Sequence, residues 1–206
     1  ELVYTLGCRG CHNIDGADAA AIGARRPAPP LTRIAEKVQP AWLERWVGDP
    51  RSLQDRPRMP SLRLSRTQVS DVVAYLAALN GDRTAHILDD QRRPSDERIA
   101  LGREKFANGP CPSCHLFGNA QWYEDLNEEF YVAVKKVAAL APNLRFVRER
   151  IPRDVLVRWI VEPKSVSPTA YMPVQTITPK DAELIADFLI FGDIELISAP
   201  INRAVP

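Results

Sequence analysis

Residues 8–12 read Cys-Arg-Gly-Cys-His, and residues 111–115 read Cys-Pro-Ser-Cys-His. These two stretches contain all four cysteines and two of the three histidines in a chain of 206 residues. The same spacing of two thiols and one imidazole therefore occurs twice, 103 positions apart. Such a recurrence predicts two copies of one chemical site.

Cys-x-x-Cys-His is the attachment signature of c-type haem. Two thiols three positions apart on one helical turn can each add to a haem vinyl group, and the next imidazole then points at the iron. A redox dithiol, half of a zinc site, or one zinc site built from both pairs are the alternatives. Zinc does not require a histidine directly after each pair, so haem attachment is the favoured interpretation. The predicted covalent and proximal residues are Cys8, Cys11, Cys111, Cys114, His12 and His115.

The chain contains only two methionines, and each is followed by proline, as Met59-Pro60 and Met172-Pro173. Methionine usually fills gaps in a core. Because both residues lie at matching places downstream of a haem motif, we expect them to be the sixth ligands of two iron centres. His86 lies in a polar stretch and is predicted to be a surface residue of a linker.

The two halves of the chain align as a repeat. At an offset of 113, residues 29–76 align with residues 142–189 without a gap. The aligned pairs include Pro29/Pro142, Leu31/Leu144, Arg45/Arg158, Trp46/Trp159, Pro50/Pro163, Met59/Met172 and Tyr75/Phe188. Ten extra residues lie between the second haem motif and its proline. A repeat of this length indicates two copies of one small domain.

The composition is that of an ordinary globular protein, with 26% charged residues, 45% hydrophobic residues and a formal net charge of +1. This balance gives no argument for binding to nucleic acid or to an anionic membrane. No apolar run approaches the roughly 20 residues of a membrane-spanning helix, and we expect no signal peptide among these residues.

Helix signals occur throughout the chain, and no segment has the pattern of a sheet. Ser65 and Gln68 form a capping box that opens a helix over 67–79, whose core face is Val69, Val72, Val73, Leu76 and Leu79. Ser95 caps a second helix, and Thr178-Pro179 opens a third. The sequence therefore predicts an all-α fold.

Each half resembles a class I cytochrome c domain. The whole is similar to a tandem dihaem cytochrome c of the cytochrome c4-like kind, or to a dihaem module of a larger bacterial multihaem cytochrome. The combination of Cys-x-x-Cys-His, Pro-x-Leu, a Trp-bearing helix and Met-Pro carries the resemblance. The expected organisation is domain 1 over 1–82, a linker over 83–97, domain 2 over 98–194 and a tail over 195–206. Because few residues precede Cys8, we expect the native chain to extend further upstream.

The resemblance also implies residues around each haem. The backbone carbonyls of Pro29 and Pro142 would accept hydrogen bonds from the proximal imidazoles. Gly102, four residues before Phe106, would permit close approach of the C-terminal helix, and Tyr75 and Phe188 would lie at the helix crossings. Two Arg-Trp pairs are candidates for the propionates or the haem edge, with core tryptophan and solvated arginine as the alternative: Arg45, Trp46, Arg158 and Trp159.

Two further features distinguish the halves. Tyr171 precedes Met172, whereas Arg58 precedes Met59, which predicts unequal potentials of the two haems. The ten-residue excess includes Trp122-Tyr123 among acidic residues, either as a docking patch for a basic partner or as a solvated helix start. The tail either packs on the other domain or leads into further sequence.

The predicted function is transfer of single electrons between redox protein partners by two His/Met-ligated haems c. With both axial positions filled, substrate has little access to the iron, so no enzyme activity is expected. A dihaem redox enzyme such as a cytochrome c peroxidase, and a relay subunit of a larger respiratory complex, are the alternatives. The resemblance implies a periplasmic location, or another location outside the cytoplasmic membrane.

Overall fold

The computed structural model describes residues 1–14, 28–54, 57–79, 92–118 and 141–193. Every regular element in these ranges is an α-helix or a 3-10 turn, and none is a β-strand. The predicted all-α class is therefore confirmed for the described part of the chain. Its α-helices are, in chain order, α1 (Leu2–Thr5), α2 (Cys8–Cys11), α3 (Pro40–Gly48), α4 (Arg66–Ala78), α5 (Asp96–Asn108), α6 (Val147–Arg150), α7 (Arg153–Val161), α8 (Pro163–Val166) and α9 (Pro179–Phe191).

The chain separates into two compact units. The first contains the described residues of Glu1–Asp89, Glu149–Pro152 and Val166–Tyr171, and the second contains the remaining described residues. Helix α5 begins at Asp96, so the last residues predicted as linker are helical. The rest of the predicted linker, with His86, lies outside the described residues, as do Trp122-Tyr123 and the tail.

Helix α3 is delimited by two prolines. Pro40 occupies its first turn, where the missing N–H costs no hydrogen bond. The residue before Pro50 is forced out of the helical region, and Asp49 is accordingly extended at φ −149° and ψ 91°. The buried face of the helix consists of Trp42, Leu43 and Val47.

Helix α4 begins with the predicted capping box. Gln68 N donates to Ser65 Oγ at 3.2 Å, and Ser65 N donates to Gln68 Oε1 at 2.9 Å. The core face is confirmed at four positions, which are Val69, Val72, Val73 and Leu76. The fifth residue, Leu79, is only half-buried because it caps the helix end.

Helices α5 and α9 form the main crossing of the second unit. The predicted cap of α5 is present, since Arg98 N donates to Ser95 Oγ at 3.3 Å. A Cβ atom added at Gly102 would lie 2.0 Å from the carbonyl oxygen of Leu184. The close approach expected at this glycine is therefore confirmed. Next to it, the ring centroids of Phe106 and Phe188 lie 5.6 Å apart, which confirms the crossing expected at Phe188.

One buried carboxylate connects three helices of the second unit. Asp187 of α9 is 1% exposed, and it accepts hydrogen bonds from Arg98 Nε of α5 and Arg153 Nε of α7, both at 2.6 Å. The Asp187 carboxylate is thus paired on both oxygens. Among the described helices, none is long and apolar enough to cross a membrane.

Candidate functional site

The first cysteine pair lies on a single helical turn. Gly7 precedes it in the left-handed region at φ 74°, and α2 then runs from Cys8 to Cys11. His12 N closes the turn by donating to the Cys8 carbonyl at 2.9 Å, and the backbone of His12 is extended. Residues three apart on a helix share a face, so the two thiols and the imidazole arise from one compact turn.

The His12 imidazole is held by one backbone group. Its Nδ1 lies 2.7 Å from the Pro29 carbonyl oxygen, which can only accept a hydrogen bond. The proton must therefore be on Nδ1, and Nε2 keeps its lone pair. Burial lowers the pKa of His12, and the bond to Pro29 opposes this shift. The result is a neutral, oriented imidazole, which is the form that binds a metal.

The second motif reaches the same arrangement by a different turn. Cys111–Ser113 form a 3-10 turn instead of an α-helix, and Cys114 N donates to the Cys111 carbonyl at 3.2 Å. His115 N nevertheless donates to the Cys111 carbonyl at 2.9 Å, as in the first motif. His115 Nδ1 lies 3.0 Å from the Pro142 carbonyl oxygen, and burial lowers the pKa of His115 too.

The backbone around the two histidines also repeats. Leu31 N donates to the Asn13 carbonyl at 2.7 Å, and the aligned Leu144 N donates to the Leu116 carbonyl at 2.8 Å. Each bond ties the Pro-x-Leu segment to the residue that follows the histidine. In the second motif Asn143 adds a side-chain clamp that the sequence does not reveal, since its Oδ1 accepts from Gly118 N at 3.0 Å.

The cysteines do not have the properties of a reactive dithiol. Burial raises the pKa of Cys8 and of Cys111, whereas redox-active cysteines have lowered values. All four cysteines lie in the described residues, and no group of three or more Cys, His, Asp or Glu side chains in that part of the chain could hold a metal. The raised pKa values of Cys8 and Cys111 disfavour the dithiol alternative.

A comparison with protein-family models gave one result. Residues 1–80 match the family model of cytochrome c. This match implies covalently bound haem c with iron, and it supports a role in haem-based electron transfer. The comparisons with curated proteins and with solved structures gave no significant match.

The residues of the matched segment fit a haem. This segment offers two thiols on one turn and one imidazole whose Nε2 is not engaged by the Pro29 carbonyl. Cys8 and Cys11 would hold the porphyrin through thioether bonds, and His12 would bind iron. Met59 lies half-buried in the segment between α3 and α4 and stays the predicted sixth ligand. Met172 is likewise half-buried, and its ligation of iron stays a prediction.

The predicted Arg-Trp pairs are found on α3 and α7, with both arginines facing protein carboxylates. Arg45 pairs with Glu149, and Arg158 Nη2 lies 3.6 Å from Asp154 Oδ2. Both arginines are exposed, which favours the alternative of a solvated face. Their role toward the propionates stays a prediction, as does that of Trp159, which is half-buried.

Trp46 is half-buried and stacks on Trp42 with ring centroids 5.2 Å apart. Tyr171 is 86% exposed, and its effect on the second haem also stays a prediction.

Two buried polar groups of the first unit, on Arg150 and Trp42, were not predicted from the sequence. The Arg150 guanidinium lies over the Trp42 ring, 4.8 Å from its centroid. Arg150 Nε and Trp42 Nε1 are both buried and have no hydrogen-bond partner. The only signal in the sequence is that Trp42 aligns with Val155 and therefore breaks the repeat.

Proposed function

We propose that this protein is a dihaem cytochrome c that carries single electrons between redox protein partners outside the cytoplasmic membrane. The cytochrome c match covers residues 1–80, and the second haem is inferred from residues beyond it. The observation that carries this step is the hydrogen bond from His115 Nδ1 to the Pro142 carbonyl, the aligned counterpart of the bond between His12 and Pro29.

The aligned residues of the two halves would have the same roles toward their haems. Cys8 and Cys11 anchor the first haem, and Cys111 and Cys114 anchor the second. His12 and His115 would hold the iron, and the carbonyls of Pro29 and Pro142 fix the orientation of the imidazole rings and would make them better ligands. Met59 and Met172 would complete the axial sets. Haem iron supplies the one-electron couple, and thioether ligation favours its ferrous state over a second imidazole.

Electron transfer is favoured over catalysis by this ligand set. Two protein ligands on each iron leave no open position for peroxide or another substrate. No bond must form or break during a one-electron step, so a rigid fold with fixed ligands is sufficient. The location is proposed because covalent haem attachment through this motif takes place outside the cytoplasmic membrane in bacteria.

The haem content tests the proposal. The protein purified from a host that matures c-type cytochromes is expected to contain two haems per chain, and acid–acetone is expected to leave the pigment with the polypeptide. The double variants Cys8→Ala/Cys11→Ala and Cys111→Ala/Cys114→Ala should each retain one haem. A wild-type protein with a single haem would contradict the dihaem proposal.

The axial methionines can be tested separately, because the chain contains no others. The oxidised protein is expected to show the weak far-red band of Met-to-iron charge transfer. Met59→Ala and Met172→Ala should each remove about half of its intensity, and the double variant should remove all of it. High-spin spectra and fast reaction with peroxide in the wild-type protein would instead support the enzyme alternative.

A further inference from the structure

One cavity of the second unit is lined mainly by arginines. Its volume is about 390 Å³, and it lies where the segment before α5 meets helices α5, α7 and α9. Small-molecule sites in proteins span roughly 300–1,000 Å³, so the cavity has room for a small organic ligand. We call it the arginine pocket, and it is lined by Arg92, Arg93, Pro94, Arg98, Arg153, Asp187 and Phe191.

Two of the guanidiniums are held in place by the buried carboxylate of Asp187. Arg98 Nε and Arg153 Nε each donate to one of its oxygens at 2.6 Å. A guanidinium has five N–H groups, so most donors of both side chains remain. Arg98 uses one more toward Glu183 at 3.3 Å, whereas Arg153 makes no other hydrogen bond among the described residues. The two arginine side chains are 36% and 30% exposed, so a ligand can reach their remaining donors.

Positive charge exceeds negative charge in the arginine pocket. Four guanidiniums and one carboxylate line it. Outside the lining, Asp96 pairs with Arg93 at 2.6 Å, and Glu183 pairs with Arg98. Arg92 is exposed and has no ion-pair partner in the described part of the chain. The three carboxylates therefore leave one of the four cations uncompensated, which favours an anionic ligand.

The arginine pocket has no counterpart in the first half of the chain. Arg153 aligns with Pro40, and Asp187 aligns with Ala74. The cysteines, histidines and methionines of the two predicted haem sites occur in both halves, so a feature that every haem requires would be expected to repeat. The pocket is therefore a feature of the second unit that is separate from the residues predicted to hold the haems.

We propose that the arginine pocket binds a small organic phosphate. A phosphate ester carries a charge of about −1.5 to −2 at neutral pH and three acceptor oxygens, which guanidiniums bind through paired N–H donors. The Nη groups of Arg98 and Arg153, together with Arg92, would bind the phosphate. Pro94 and Phe191 would contact the organic part, because they are the apolar residues of the lining. This site goes beyond electron transfer and uses none of the predicted haem residues.

Isothermal titration calorimetry of the holoprotein with phenyl phosphate tests the proposal. This probe combines a phosphate with one apolar ring. We expect saturable binding with a Kd below about 1 mM in dilute buffer. Arg92→Gln should weaken binding about threefold, and Arg153→Gln about tenfold because it removes a guanidinium that Asp187 holds in place. Absence of saturable binding, or an unchanged Kd in both variants, would overturn the proposal.

Arg103→Gln is the matched control. Arg103 is exposed on α5 but does not line the pocket. Its replacement changes the net charge by the same amount, and the Kd should change less than about twofold. Equal losses in Arg103→Gln and Arg92→Gln would indicate nonspecific attraction and overturn the site. Arg92→Gln keeps the test decisive if Arg153→Gln does not fold, because Arg92 has no ion pair among the described residues to lose.

Two further probes distinguish an organic phosphate from free phosphate. Inorganic phosphate lacks the ring and should bind at least about threefold more weakly than phenyl phosphate. Phenol lacks the phosphate and should give no measurable binding. Phe191→Ala should bring the affinities for the two phosphates together. Equal affinities in the wild-type protein would assign the pocket to free phosphate and overturn the organic ligand.

Discussion

At the scale of single residues, partners on the protein determine what each polar side chain can do. The carbonyl of Pro29 leaves His12 one possible tautomer, and the carbonyl of Pro142 does the same for His115. Asp187 illustrates the opposite case, because both of its oxygens are already occupied by arginines. Nε2 of each histidine can therefore bind a metal. Both oxygens of Asp187 are instead used in ion pairs that stabilise the fold.

Replacement of Asp187 by Asn should therefore destabilise the second unit. The substitution removes the charge that compensates Arg98 and Arg153, and breaking a buried ion pair costs about 3 kcal/mol. We expect a loss of about 2–3 kcal/mol in the free energy of unfolding, because the two arginines still reach solvent. Urea denaturation measures this loss.

Glu183→Gln provides the control for Asp187. Glu183 lies on the same helix and pairs with Arg98 at 3.3 Å, but its side chain is about half-exposed. Exposed ion pairs contribute less than about 1 kcal/mol, so this variant should be only slightly destabilised. Equal losses in the two variants would show that burial of Asp187 does not determine its contribution.

At the scale of helices, the crossing of α5 and α9 depends on the absence of one side chain. A Cβ atom at Gly102 would meet the backbone of Leu184, which cannot rotate away as a flexible side chain can. We expect Gly102→Ala to lower the free energy of unfolding by about 2–3 kcal/mol through overpacking, in spite of the better helix propensity of alanine. Thermal denaturation of the holoprotein measures the loss.

Gly48→Ala is the matched control at the end of α3. Its Cβ would meet only the Val69 Cγ2 atom, at an ordinary 3.7 Å. The helix propensity of alanine should then be the main effect, and the variant should be as stable as the wild type or up to about 1 kcal/mol more stable. A similar loss for Gly48→Ala and Gly102→Ala would rule out the close approach as the cause.

The beginning of α9 predicts a pH dependence of stability. A hydrogen bond from Lys105 and another from Thr178 lower the pKa of Asp181 below its ordinary value. Because the folded value lies below the unfolded value of about 3.9, this contribution is present above that pH and is lost as pH falls through the folded pKa. In Asp181→Asn, the urea midpoint should fall at pH 6 and match the wild-type midpoint at low pH.

Asp71→Asn serves as the comparison for Asp181. Asp71 is exposed on α4 and has no ion-pair partner among the described residues. Its replacement should leave the pH profile of the urea midpoint parallel to that of the wild type. If Asp181→Asn also gives a parallel profile, the Asp181 carboxylate does not contribute to the loss of stability at low pH.

At the scale of the whole molecule, contacts within one helical turn could be predicted from the sequence. Contacts between residues far apart in the sequence could not. The caps at Ser65, Ser95 and Thr178 are confirmed, because each depends on residues within one helical turn. The contact of Arg150 with Trp42 joins residues far apart in the sequence and has no periodic pattern. The 3-10 turn at Cys111–Ser113 was also not foreseen, since the spacing of the cysteines is the same for both kinds of turn.

The differences between the halves lead to the last prediction, which is that the two haems have unequal potentials. The first would have Arg58 beside its methionine, whereas Tyr171 precedes the methionine of the second. Cations favour the ferrous state, so the first haem should have the higher potential. The variant Cys111→Ala/Cys114→Ala should retain the high-potential wave, and Cys8→Ala/Cys11→Ala the low-potential wave. A wild-type titration that fits one shared potential would show that these charges are screened.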